Sequence, residues 1–68
     1  MNANYDTETD TLTIVLKEGV VSESDEEKPG IILDYDQSGQ LLSLEILDAS
    51  KQIPDVTQFQ FSVTPPHA

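Results

Sequence analysis

The stretch Asp34-Tyr35-Asp36-Gln37-Ser38-Gly39-Gln40-Leu41-Leu42-Ser43-Leu44-Glu45 decides the fold, because it supports two incompatible readings. As spacing it is D-x-D-x-S-G-x5-E, the ligand pattern of an EF-hand calcium loop. Asp34, Asp36, Ser38 and Glu45 then supply oxygens, Gly39 makes the sharp turn, and Leu41 fills the apolar eighth place. As periodicity it is two alternating strands around Ser38-Gly39. The residues leading in settle the matter. An EF-hand needs an entering helix, but Pro29-Gly30 breaks one and Ile31-Ile32-Leu33 favours extended chain. The stretch reads as a β-hairpin.

Its register follows from burial. With Ser38-Gly39 as a two-residue loop, Tyr35 lies opposite Leu42, Leu33 opposite Leu44, and Ile31 opposite Ile46. One face is then apolar, while Asp34, Asp36, Ser43 and Glu45 share the other. A slip by one residue scatters apolar groups over both faces. Glu45 falls diagonal to Asp34, and carboxylates that close raise one another's pKa or attract a cation. Asp34, Asp36, Ser38 and Glu45 are therefore the candidate calcium ligands. They lack a nucleophile or a positive orienting group, so no catalytic residues and no cofactor are expected.

Outward from the hairpin, Thr11 to Lys17 alternates with Leu12, Ile14 and Leu16 on one side, another strand. Asn4-Tyr5-Asp6 reads as a short strand before the polar turn Thr7 to Asp10. Glu18-Gly19 is a turn signal, with Val20 to Glu23 returning as a strand. The acidic run Ser22 to Gly30 reads as an exposed loop ended by Pro29. Asp48 to Ile53 suits one helical turn with Asp48 as N-cap, and Pro54 prevents a longer one. Phe59, Phe61 and Val63 alternate in a last segment. The expectation is a small, mainly β fold: an antiparallel meander with strands near 3–6, 11–17, 19–24, 30–36 and 40–47. A helical turn near 48–53 and a last strand near 57–63 follow. Residues 1–53 form the core domain and 54–68 a C-terminal extension. The predicted core is Leu12, Ile14, Leu16, Ile31, Leu33, Tyr35, Leu42, Leu44 and Ile46.

Composition narrows the function. A chain of 68 residues is one domain of marginal stability, supported by disulfides, a metal or oligomerisation. There is no cysteine, which excludes disulfides, thiolate zinc sites and cysteine nucleophiles. His67, beside the C-terminus, reads as an exposed tail residue. Thirteen acids against three basic residues give a net charge of −10. Nucleic acid and anionic membrane are poor partners for such a surface, and a basic protein or a cation is a better one. No apolar run suits a signal peptide or a membrane span, so the expected location is the cytoplasm. Val15, Ile32, Leu41 and Leu47 fall on the second sheet face. With Phe59, Phe61 and Val63 they form the candidate surface for homo-oligomerisation.

The order of these signals resembles a family of small bacterial proteins, domain of unknown function 2283. The matching residues are Tyr5-Asp6, then Asp10-x-Leu12-x-Ile14-x-Leu16, then Pro29 to Asp36, Gly39, and Leu44 to Ser50. The resemblance covers about Asn4 to Ile53 and implies a compact antiparallel β domain with no established activity and no catalytic residues to transfer. It also implies free-standing proteins, some paired with toxin-like neighbours, so an antitoxin-like role is one expectation. Ser38 departs from the Asp or Asn expected before the turn glycine, and the Phe-rich segment after Pro54 lies outside the pattern.

Overall fold

The computed structural model describes residues 1–67. Five strands form one antiparallel sheet: β1 (Asn2–Asp6), β2 (Thr11–Val15), β3 (Glu23–Lys28), β4 (Ile31–Tyr35) and β5 (Leu41–Ile46). One short helix, α1 (Ala49–Gln52), follows. The spatial order is β1-β2-β5-β4-β3. The antiparallel architecture and the terminal helical turn agree with the sequence. The neighbours in space are not all neighbours in chain order, because the β4–β5 hairpin stands between β2 and β3.

Cross-strand pairing sorts the sheet into rows, since directly opposed residues share a face. Ala3, Ile14, Leu44 and Leu33 form one row, and Tyr5, Leu12, Ile46 and Ile31 another on the same face. The opposite face carries Val15, Ser43, Asp34 and Ser24 in one row, with Thr13, Glu45, Ile32 and Glu26 beside it. Leu33–Leu44 and Ile31–Ile46 are the predicted pairs. Tyr35, however, opposes Leu41 rather than Leu42. The loop is longer than the expected Ser38-Gly39 pair: the Asp36 amide donates to the Gln40 carbonyl at 2.9 Å and that of Gly39 to the Asp36 carbonyl at 3.0 Å. Gly39, at φ 82°, takes the left-handed position that closes such a loop. A β-bulge at Leu42 then restores the register that the longer loop would have shifted.

Three further expectations are corrected. The third strand is not at 19–24 but at Glu23–Lys28, inside the acidic run read as a loop. Its side chains are all exposed, so it needs no apolar alternation; the backbone pairing to β4 through the tight Pro29-Gly30 turn makes it a strand. The segment 57–63 is extended chain without a sheet partner, not a strand. Asp48 does not cap α1: it sits at φ 50° with no side-chain capping bond. The extension 54–68 is seen as far as His67; Ala68 lies outside the described residues.

The core is thin. Among the described residues, only Leu42, at 3% exposure, and Ala49, at 0%, are buried apolar residues, while the predicted core residue Leu16 is 38% exposed. Leu42 is covered by the β2–β3 connection, which passes so close that a Cβ on Gly19 would stand 2.9 Å from Leu42 Cδ2. The other predicted core residues are half-buried. The molecule measures 43 × 34 × 19 Å with a radius of gyration of 13.8 Å, against roughly 11 Å for a compact domain of this length. One sheet, partly covered, makes up the fold.

Candidate functional site

The sequence-predicted ligands meet only in part. Asp34 is 5% exposed in the middle of the acidic face. Its two row neighbours both serve it: Ser24 Oγ donates to Oδ1 at 2.7 Å and Ser43 Oγ to Oδ2 at 2.9 Å. Glu45, diagonal across β4 and β5, hydrogen-bonds the same carboxylate. Burial pushes the Asp34 carboxyl upward, but the bonds from Ser24, Glu45 and Ser43 together hold it below the ordinary carboxylate range. The hydrogen bond to Asp34, with burial and the neighbouring charge, pushes Glu45 up. The two carboxyls titrate as a coupled pair, with Glu45 taking up a proton before Asp34 as pH falls.

Asp36 is turned to other work. Its Oδ1 accepts the backbone amides of Ser38 at 2.8 Å and Gln40 at 2.9 Å, which holds the hairpin loop. Ser38 is exposed in that loop. Asp34 and Glu45 are thus brought together, while Asp36 and Ser38 belong to the turn. Among the described residues, no group of three or more His, Cys, Asp or Glu side chains is arranged to hold a metal ion.

The candidate interface residues also separate. Val15 and Ile32 are half-buried on the face of Asp34, whereas the bulge at Leu42 places Leu41 beside Tyr35. Leu47 is half-buried, its amide donating to the Gly30 carbonyl at 2.8 Å. Phe59, Phe61 and Val63 are 60%, 63% and 77% exposed. The segment that carries them runs beside β1 on the apolar face. It leaves one groove of about 410 Å³ against Tyr5, Leu12 and Ile53, and a second of about 410 Å³ against Met1, Ala3 and Ile14.

One cluster escaped the sequence reading. The Asp6 carboxylate accepts the Glu8 amide at 2.9 Å and folds the β1–β2 turn, leaving Asp10 at φ 54°. There the Asp10 carboxylate accepts the Tyr5 hydroxyl at 2.6 Å, the Ser50 amide at 3.0 Å and the Ser50 hydroxyl at 2.7 Å. The bond from Tyr5, then those from Ser50, hold Asp10 below the ordinary carboxylate range, and the same bond raises Tyr5. The Ala49 amide donates to the Asp10 carbonyl at 2.9 Å. Tyr5, Asp10, Ala49 and Ser50 all lie among the residues that carry the family resemblance. They lock the first turn to the helix.

A family model described as "Protein of unknown function (DUF2283)" matches residues 2–50. An uncharacterized protein of the archaeon Methanocaldococcus jannaschii is 42% identical over 48 residues, which are 71% of this chain and 40% of that protein. This chain thus spans about two fifths of that relative's length, and the pattern extends beyond bacteria. No solved structure matches.

Proposed function

From the premise that this chain belongs to the DUF2283 family of unknown function, we propose that it is a non-catalytic interaction module of the cytoplasm that self-associates. The observation that carries this reading is the half-covered apolar face. A chain of 7.5 kDa exposes 5460 Å², where a compact fold of that mass exposes about 4,250 Å². The excess, about 1,200 Å², exceeds the roughly 800 Å² that each partner gives to a standard interface. It lies in a sheet with one thin cover and in the exposed Phe59, Phe61 and Val63. A fully exposed apolar side chain gains about 1.5–3 kcal/mol on full burial, and a half-exposed one about half of that. Two copies bring together a charge of −20, twice the −10 of one chain, but acids on outer faces are screened over about 8 Å.

The test is the mass by light scattering at micromolar concentration and ordinary salt. Twice the chain mass, reduced to one chain by Phe59→Ser with Phe61→Ser, is the expected result; a single-chain mass for the parent overturns the reading. The acidic face suits a basic protein as further partner, with an antitoxin-like pairing as the special case. Co-purification from the native host tests that part. The alternative, cation binding by Asp34, Asp36, Ser38 and Glu45, must compete with hydrogen bonds that those groups already make.

A further inference from the structure

The two edges of the sheet are unlike. β3 presents four acids in six exposed residues and carries a bulge at Glu27, devices that discourage another strand from pairing. β1 has an unbroken register with β2, no proline, and a single acid, Asp6, at its end. It is the unguarded edge.

Which of its backbone groups are free follows from the ladder. The Leu16 amide donates to the Leu42 carbonyl at 2.8 Å. In an antiparallel ladder hydrogen-bonded and open pairs alternate, so Leu16, Ile14 and Leu12 bond toward β5, while Thr11, Thr13 and Val15 bond toward β1. Their partners Asn2, Asn4 and Asp6 face inward. Ala3 and Tyr5 therefore direct both N–H and C=O outward from the sheet edge.

We propose that this edge pairs with the same edge of a second copy of the chain, antiparallel about Asn4, to make one continuous sheet. The proposal rests on the self-association reading and names its surface. Ala3 of one copy opposes Tyr5 of the other, and this register uses every free amide and carbonyl of the two residues in both copies. Asp6 falls opposite Asn2, so the two acids of the seam stay apart. A two-fold axis normal to the sheet keeps both apolar faces on the same side. The grooves that Phe59 and Phe61 form with Ala3 and Met1 then lie next to each other across the seam, where the Phe side chains bury each other. The excess exposed area of each chain supplies what such a dimer needs.

Asn4→Cys tests the geometry. The chain has no other cysteine, and position 4 is the open pair on the axis, where Cα atoms stand about 4.5 Å apart and a disulfide fits. Mild oxidation should convert this variant to a covalent dimer. Ala3→Pro removes an outward amide from each copy and no inward bond; it should weaken dimerisation about tenfold or more while the circular dichroism spectrum is kept. If Ala3→Pro disturbs the fold, the cross-link alone decides. A parent dimer whose Asn4→Cys variant does not cross-link, or a folded Ala3→Pro that dimerises like the parent, overturns this seam and leaves self-association standing. A parent of single-chain mass overturns both.

Discussion

The Asp10 carboxylate caps the distant helix α1, its Oδ1 accepting the amide of Ser50, forty residues along the chain, at 3.0 Å. A side chain from the first turn thereby does what an N-cap residue ordinarily does for its own helix. Asp48, in the cap position, makes no such bond. Asp10→Ala should therefore lower the melting temperature clearly, and Asp48→Gly, which suits a left-handed residue, should not. Thermal melts followed by circular dichroism compare the two; equal losses would refute the capping role.

Acid should undo the same contact. Asp10 is held below its ordinary pKa by Tyr5 and Ser50, so its contribution is present above the unfolded value of about 3.9 and lost as pH falls through the lower folded value. Asp10→Asn should flatten that part of the acid limb in a stability-against-pH series.

Glu45 works in the opposite direction. Its folded pKa is raised, so the contact of protonated Glu45 with Asp34 contributes fully below the unfolded value of about 4.3 and is lost as pH rises through the folded one. Glu45→Gln supplies a permanent donor to Asp34 and should remove this decline, leaving the variant at least as stable as the parent at pH 7. Asp34→Ala strands the buried Ser43 hydroxyl and should cost about 1–3 kcal/mol, while the exposed Ser24 hydroxyl can turn to water. Denaturant titrations between pH 4 and 8 check both.

The small core makes Leu42 the most sensitive apolar position. Leu42→Ala should cost about 2–5 kcal/mol, a large share of what a domain this small has. Gly19→Ala, whose Cβ would meet Leu42 Cδ2 at 2.9 Å, should cost about 1–3 kcal/mol through forced repacking. Urea midpoints read both losses, and a Gly19→Ala midpoint at the parent value would place that connection elsewhere.

Calcium at millimolar concentration should give neither binding heat nor a thermal shift. Asp36 Oδ1 already accepts the Ser38 and Gln40 amides, and Asp34 is occupied by two hydroxyls and Glu45. Saturable heat abolished by Asp34→Asn would restore the cation reading.

Alternation made β2, β4 and β5 legible because one face of each is apolar. β3 was missed for the same reason: an edge strand whose side chains all meet water carries no alternation to read. The hairpin pairs Leu33–Leu44 and Ile31–Ile46 were deducible from burial, whereas the loop was not, because Asp36 stabilises a longer turn and the bulge at Leu42 hides the difference downstream. Asp34 and Glu45 were placed together by register alone. The Asp10–Ser50 contact spans forty residues and depends on Asp10 adopting a positive φ, which no spacing rule contains. The expectation of a strand at 57–63 failed because alternation describes a side-chain pattern and cannot supply the ladder partner.

The charged outer strand has a last consequence, for how far assembly can run. If β3 of one molecule accepted β1 of the next, the contact would be head-to-tail and would repeat without closing, as in a fibre. Four acids and a bulge on that strand forbid the repeat. In the proposed self-association, pairing is then left to like with like, and such a seam is complete at two chains. A fibre-forming variant should therefore be obtainable by neutralising Glu23, Asp25, Glu26 and Glu27, with thioflavin fluorescence as its readout.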